Sequence, residues 1–365
     1  MSAKRVTDNN QPLYFPAIDG LRFLAFLLVF IYHLSPFSSG NFLGNIGWTG
    51  VELFFLLSGF LLTNLLVAEY NQTGSINLYK YIVRRVLRIW PLYFLYLVGI
   101  FIASKYASVY PLSQERMLGN IFFYDNIMAA LHGFNKNLAT GHLWSISLEE
   151  QYYMILPFLI PWLIRQSSKN KRRFLVIIFI ILFISRYLLT LLPLRYSFIY
   201  VLPFSCDCLL AGIILGLGDF TSWAKKINTT IALVFGIALI VCLHFFPQRT
   251  EIGPHTVLTY FLPAVAFFFI FIAVVYSNNG LLFGILANKP IRYLGKISFG
   301  LYVFHVIANR IAYSIYYILN RPMDVWGFFL SLSITILLAI LSYELIEKHF
   351  LKMKSKYTVI KNREV

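Results

Sequence analysis

Chemistry in this chain starts with two residues eleven positions apart on one apolar run. DGLRFLAFLLVFIYH, Asp19 to His33, holds one arginine and, near its far end, one histidine. Eleven steps of about 100° return Arg22 and His33 to nearly the same helix face. At a rise of about 1.5 Å per residue they stand roughly 16 Å apart along the axis. A fixed cation and a titratable base on one face of a membrane-depth helix are costly unless they line a protein interior or a water-filled path. Asp19 lies three residues before Arg22 and can pair with it.

Three further groups carry ionisable residues in apolar surroundings. In RRVLRIWP, Arg85 and Arg88 lie three apart, and guanidinium pairs suit phosphate, whether on a small molecule or a lipid headgroup. In GHLWSISLEEQYY, Glu149 and Glu150 fall about two turns into a helix, at a depth expected to match His33. A His–carboxylate pair is a usable general base with an orienting partner; the alternative reading is a purely structural pair. In ISFGLYVFH, Tyr302 and His305 share a face. Asp207, in FSCDCLLAG, is one more intramembrane acid whose role is catalytic or structural.

The elements that position these groups are membrane helices. Of 365 residues, 59% are hydrophobic and 13% charged, against about 25% charged in a soluble domain. Mean hydropathy is +0.70. The expected fold is all-α: a polytopic bundle of about ten spans near 18–34, 48–68, 90–104, 141–164, 174–192, 200–217, 228–246, 257–277, 297–319 and 325–346. The moderately apolar stretch Met117–His132 carries Asn120, Asp125 and Asn126. Read as a crossing, it would put the basic run Arg165–Arg173 outside, so it reads as interfacial or re-entrant. Lysines and arginines gather between the spans on one side, which places both termini in the cytoplasm. The same pattern assigns the net charge of +16 to membrane topology, not to nucleic acid. The domain plan is a polar N-terminal segment (1–16), a transmembrane domain (17–347) and a basic tail (348–365).

Other chemistries lack their motifs: there is no P-loop, no G-x-S-x-G elbow and no HExxH. SGF at Ser58–Phe60 reads as small-residue helix packing. Cys206, Cys208 and Cys242 lie in apolar runs without zinc-type spacing, read as small buried residues, and no metal is expected.

Six stretches in order, DGLRFLAFLLVFIYH, GWTGVELFFLLSGFLL, RRVLRIWPLY, HLWSISLEEQYY, ISFGLYVFH and YELIEKHF, resemble the membrane-bound acyltransferase 3 family. Its Arg-x10-His pattern is met by Arg22 and His33, its Arg-x-x-Arg by Arg85 and Arg88, and its S-x-E-x-Q by Ser147, Glu149 and Gln151. His349 departs from the pattern, where members often carry proline, and bears only on the last turn of the closing span. No SGNH-type extension is seen, so the chain resembles the stand-alone form. The resemblance implies an O-acyltransferase of a bacterial-type inner membrane. It would move an acyl group, usually acetyl, from cytoplasmic acyl-CoA to a hydroxyl of a cell-envelope glycan, lipid-linked sugar or other small molecule. It further implies that Arg85 and Arg88 dock CoA phosphates and that Arg22 meets the thioester oxygen or the diphosphate. His33 would be base or acyl carrier, with Glu149 orienting it. The competing class on the same intramembrane charges is a transporter or exporter, which more often shows inverted repeats and broken helices; neither is visible. Acceptor, acyl chain and oligomeric state are not encoded in any motif.

Overall fold

Backbone polar groups cannot be left unpaired in hydrocarbon, so apolar runs of this length become helices. The computed structural model describes residues 14–34, 41–106, 114–133, 139–191, 205–246, 253–276 and 280–360; among them no strand occurs. In chain order the helices are α1 (Pro16–His33), α2 (Phe42–Ile46), α3 (Thr49–Thr73), α4 (Leu78–Tyr106), α5 (Gln114–Ile121), α6 (Asp125–His132), α7 (Trp144–Arg165), α8 (Ser168–Thr190), α9 (Asp207–Leu217), α10 (Thr221–Ala224), α11 (Thr229–Leu243), α12 (Thr256–Val275), α13 (Leu281–Leu286), α14 (Lys289–Lys296), α15 (Ser298–Ile318), α16 (Val325–Ser342) and α17 (Lys348–Ser355). A 3-10 turn, Gly141–Leu143, precedes α7, and a π-helical turn, Tyr343–Glu347, joins α16 to α17.

Each of the ten expected apolar runs coincides with a helix, but the helices differ in length. Among the described residues six are long and apolar enough to cross a membrane: 16–33, 49–73, 78–106, 168–190, 256–275 and 325–355. The protein is therefore an integral membrane protein. Helices α9 and α11 are apolar but have only 11 and 15 residues, so the expected spans at 200–217 and 228–246 are shorter than read; 192–204 lies outside the described residues. The stretch expected to be re-entrant is two eight-residue helices, α5 and α6, each only about 12 Å long. The chain reverses between them at Phe123, where φ is +55°.

The centre of the bundle is α3, packed along α9, α1 and α7. Small residues permit the closest contact: a Cβ on Gly212 would stand 2.2 Å from the Leu56 carbonyl oxygen, and one on Gly59 2.5 Å from that of Leu209. SGF thus packs helices, as its composition suggests. Gly212→Leu is expected to separate α3 from α9 and abolish the folded band in detergent size exclusion, whereas Gly99→Ala, with open space around it, should leave it unchanged.

Asp207 is tied structurally. Its carboxylate takes a two-pronged ion pair from Arg186 on α8, both side chains buried. Breaking a buried pair by removing one partner costs about 3–5 kcal/mol, whereas replacing both with apolar groups is often neutral. Asp207→Ala should lower the melting temperature markedly, and Arg186→Met with Asp207→Leu should recover it. Cys206 and Cys208 are buried beside this pair, but Cys242 is exposed, a correction to its reading as interior: it lies on α11, whose outer face carries Ile231, Val234 and Phe235.

The basic tail does not stand apart. Helix α17 continues from the π-helical turn straight through His349, so the departure there does not break the helix. Arg84 donates to the Tyr357 carbonyl oxygen at 3.0 Å and pairs with Glu69 at 2.7 Å, pinning the chain after α17 across the start of α4.

Candidate active site

A cavity of about 760 Å³ runs into the bundle between α1, α3, α4, α7 and α15, within the range usual for small-molecule sites. One end is basic, lined by Arg84, Arg88, Lys296, Lys352 and Lys354; the other ends at Ser145 and Tyr302. Arg22, Arg85 and Glu149 line the wall between.

Glu149 is its central polar group. Ser58 donates to Oε1 at 2.9 Å and Tyr153 to Oε2 at 2.8 Å, while Arg22 and Arg85 act on it electrostatically. The other acids follow suit. Glu150 faces Arg85. Glu347, turned inward by the π-helical turn, accepts from Ser342 at 3.2 Å and faces Arg88 and Arg22. Arg22 itself donates through Nε to Ser298 at 3.1 Å, and the Arg85 guanidinium lies 5.7 Å from the Tyr153 ring centroid. Arg22 and Arg85 are thus each held by a neighbouring side chain on the cavity wall. Asp19, also on the lining, accepts from Tyr14 at 2.7 Å, and Tyr14 in turn accepts from Arg292.

The structure separates two residues that the sequence puts at one depth. Glu149 meets hydroxyls, whereas His33 stands edge to face with His305, ring centroids 5.0 Å apart. His305 is in turn 4.9 Å from His142. The expected direct His33–Glu149 pairing is replaced by a connection along α7: His142, Ser145, Glu149 and Tyr153 follow at steps of three, four and four and share one helix face. Tyr302 closes the cavity beneath the imidazoles. Its hydroxyl lies 2.7 Å from that of Ser145 and donates to the His142 carbonyl oxygen at 2.8 Å.

The remaining residues of LEEQ support the site. Gln151 exchanges hydrogen bonds with Asn126, at 2.8 and 3.2 Å, and donates to the Phe123 carbonyl oxygen at 2.8 Å. It therefore fastens the α5–α6 hairpin to α7, and an Arg116–Asp125 pair holds the hairpin shut. Ser147 is buried beside Tyr93. Among the described residues no group of three His, Cys, Asp or Glu side chains is disposed to hold a metal ion.

The sequence matches the acyltransferase domain of the acyltransferase 3 family over residues 15–344. The chain belongs to this family. It is 29% identical over 367 residues to the O-acetyltransferase OatA of Staphylococcus aureus strain NCTC 8325 / PS 47, and equally to OatA of strain COL; each match takes in 94% of this chain and 58% of the relative. The chain thus spans about three fifths of the length of the curated relatives it matches. No solved structure matches it. The family description is of an acyltransferase domain, and O-acetyl transfer is what the names of these relatives state of them.

His142, Ser58 and Glu347 were not legible as site residues. His142 stands in a turn ahead of its helix, where periodicity has no purchase, although its spacing to Ser145 and Glu149 is visible in HLWSISLEE. Ser58 reads as packing because its neighbour Gly59 packs. Glu347 lies buried in the π-helical turn beside Ser342, where a regular helix period does not place it.

Proposed function

We propose that the protein transfers an acetyl group from cytoplasmic acyl-CoA to a hydroxyl of a cell-envelope glycan, lipid-linked sugar or related small acceptor, in a bacterial inner membrane. In this reading residues 17–347 form one transmembrane domain of ten crossings, with the N-terminal segment and the basic tail on the cytoplasmic side. The observation that carries it is the cavity: cationic at one end, walled by Arg22, Arg85 and Arg88, and closed by Tyr302 next to the His33 cluster. A phosphate-bearing donor is drawn to the basic end, where Arg85 and Arg88 receive its phosphates. The thioester then lies between Arg22 and Tyr302, where Arg22 faces the charge growing on its carbonyl oxygen from one side and the imidazoles lie on the other. His33 takes the proton of the acceptor hydroxyl as general base. Glu149 acts one level below, holding Tyr153, Ser58 and the two nearest arginines in register. Acetyl is the group named by the O-acetyltransferase relatives.

Mass spectrometry of envelope glycans from cells with and without the protein tests this. The expected result is the mass increment of an acetyl group, present only with the protein and lost on mild base. Purified protein that moves labelled donor or acceptor across vesicles without forming an ester would instead mark a transporter.

A further inference from the structure

The basic end of the cavity carries more positive charge than a diphosphate needs. Among the described residues seven cationic side chains line the cavity, against three carboxylates, Asp19, Glu69 and Glu149. Two of the seven, Lys352 and Lys354, belong to α17, beyond residue 344 where the family match ends. Lysines that follow a closing span commonly face lipid headgroups. Here the helix turns a row of side chains toward the cavity instead. Leu351, Lys354, Ser355 and Thr358 share one face by their spacing, and all four line the cavity. Leu351 is buried in a cluster with Ile297 and Tyr343, which seats the helix. Lys354 is half-buried, and Lys352 is exposed at the edge of the same face.

The chain after α17 stays on the cavity too. Val359 and Ile360 line it and are half-buried. Its anchor is Glu69, 3% exposed, which pairs with Arg84 at 2.7 Å and accepts from the Asn77 amide at 3.1 Å. The same guanidinium donates to the Tyr357 carbonyl oxygen at 3.0 Å. Thr358 donates to the Lys354 carbonyl oxygen at 3.2 Å, and the Tyr357 ring meets that of Tyr79 edge to face at 6.1 Å. The tail is therefore part of the cavity wall, fastened to the α3–α4 connection, and it carries its lysines to the mouth at a fixed place.

We propose that Lys352 and Lys354 form an anion subsite for the 3′-phosphate on the ribose of coenzyme A, distinct from the arginines that receive the diphosphate. The proposal rests on acyl-CoA as the donor. The charges match: a phosphomonoester carries about −1.5 to −2 at neutral pH, and the diphosphate adds one charge on each bridging phosphate, close to the cationic excess of the lining. Two ammonium groups on flexible stems suit a monoester, whose three oxygens present no planar pair for a guanidinium fork. The consequence is donor selection. A thioester on the same pantetheine arm, held by a carrier protein in place of a nucleotide, has nothing to offer this subsite.

Binding to the purified full chain tests the subsite without an acceptor. Isothermal titration in detergent compares coenzyme A with 3′-dephospho-coenzyme A. Wild type is expected to prefer coenzyme A about tenfold, the usual worth of a hydrogen bond between charged groups, with the preference shrinking as salt rises. Lys352→Met with Lys354→Met keeps the stems and removes the ammonium groups. It should bind both forms as wild type binds the dephospho form, and Lys352→Arg with Lys354→Arg should restore most of the preference. A full preference in the methionine variant overturns the proposal. If that variant does not elute with wild type, the two single variants replace it: each should remove part of the preference, and a full preference in both overturns it. The preference should also be the same in nanodiscs of phosphatidylcholine alone and of phosphatidylcholine with phosphatidylglycerol in equal parts. Its loss with phosphatidylglycerol would assign the lysines to lipid headgroups and overturn the subsite. Wild type that binds both forms equally ends the subsite and leaves the donor standing, whereas wild type that binds neither ends both.

Discussion

His33→Ala is expected to lower ester formation by about 10²–10⁴-fold, the usual worth of a positioned general base, with the folded protein still inserted in the membrane. The expectation follows from where the side chain stands. His33 ends α1, half-buried, with Nδ1 anchored to Val29 one turn back and its ring held by Tyr32 and His305. Its lone-pair Nε2 is thereby fixed in direction, and no part of the helix depends on it: the helix ends at Leu34 with a backbone bond to Ile31. Truncation leaves the α1–α3 and α1–α14 contacts untouched, since these run through Gly50 and through Gly295, which abuts the Asp19 backbone. Melting temperature and detergent elution are the controls. His33→Gln, which retains a donor but not a base, should be as inactive as alanine; activity close to wild type in either variant would remove the residue from the reaction.

How the ionisable residues group in space was only partly legible. Apolar runs located nearly every long helix, because in hydrocarbon the backbone leaves no alternative. The three polar side chains in Met117–His132 marked the α5–α6 hairpin for the same reason: Asn120, Asp125 and Asn126 are all fully buried, and only a turn packed on protein can house them. Periodicity also put Arg22 and His33 on one face and Tyr302 with His305 on another. It could not say which face meets which, since 272 positions separate His33 from His305 and nothing local records that separation. Glu149 lies on the helix face that leads to the imidazoles but about two turns away from them along the axis, so the common depth expected for His33 and Glu149 does not hold. Glu149 lies two turns inside α7, below Ser145, and the residue of that segment that reaches the imidazoles is His142. The partner of Asp207 was likewise beyond reach, because Arg186 sits on a separate apolar run and reads there as a stray cation.

The second large effect is expected at Arg22. The guanidinium is held by Ser298 through Nε and lies within the fields of Glu149 and Glu347, on the cavity wall midway between the basic end and Tyr302. Charge there is expensive to maintain at membrane depth; Glu149 and Glu347 offset it at rest, and its catalytic benefit comes from negative groups that enter the cavity. Two such things pass it during transfer: the donor's diphosphate on entry, and the thioester oxygen in the transition state. They are separable in kinetics. A donor that opposes developing charge is worth about 10²–10³ in kcat when removed, whereas loss of uniform binding raises KM and leaves kcat alone. Arg22→Gln is expected to lose kcat by that factor with a KM for acetyl-CoA close to wild type, because Arg85 and Arg88 still receive the phosphates nearer the basic end. The converse should hold for Arg88→Gln, whose KM rises while kcat persists. Arg22→Lys should recover little, since an ammonium on a flexible stem cannot keep the Ser298 bond and the outward N–H groups in one plane. A KM effect alone at Arg22 would move the diphosphate to the middle of the cavity and the thioester up against Tyr302, beyond the arginine and within reach of the imidazoles.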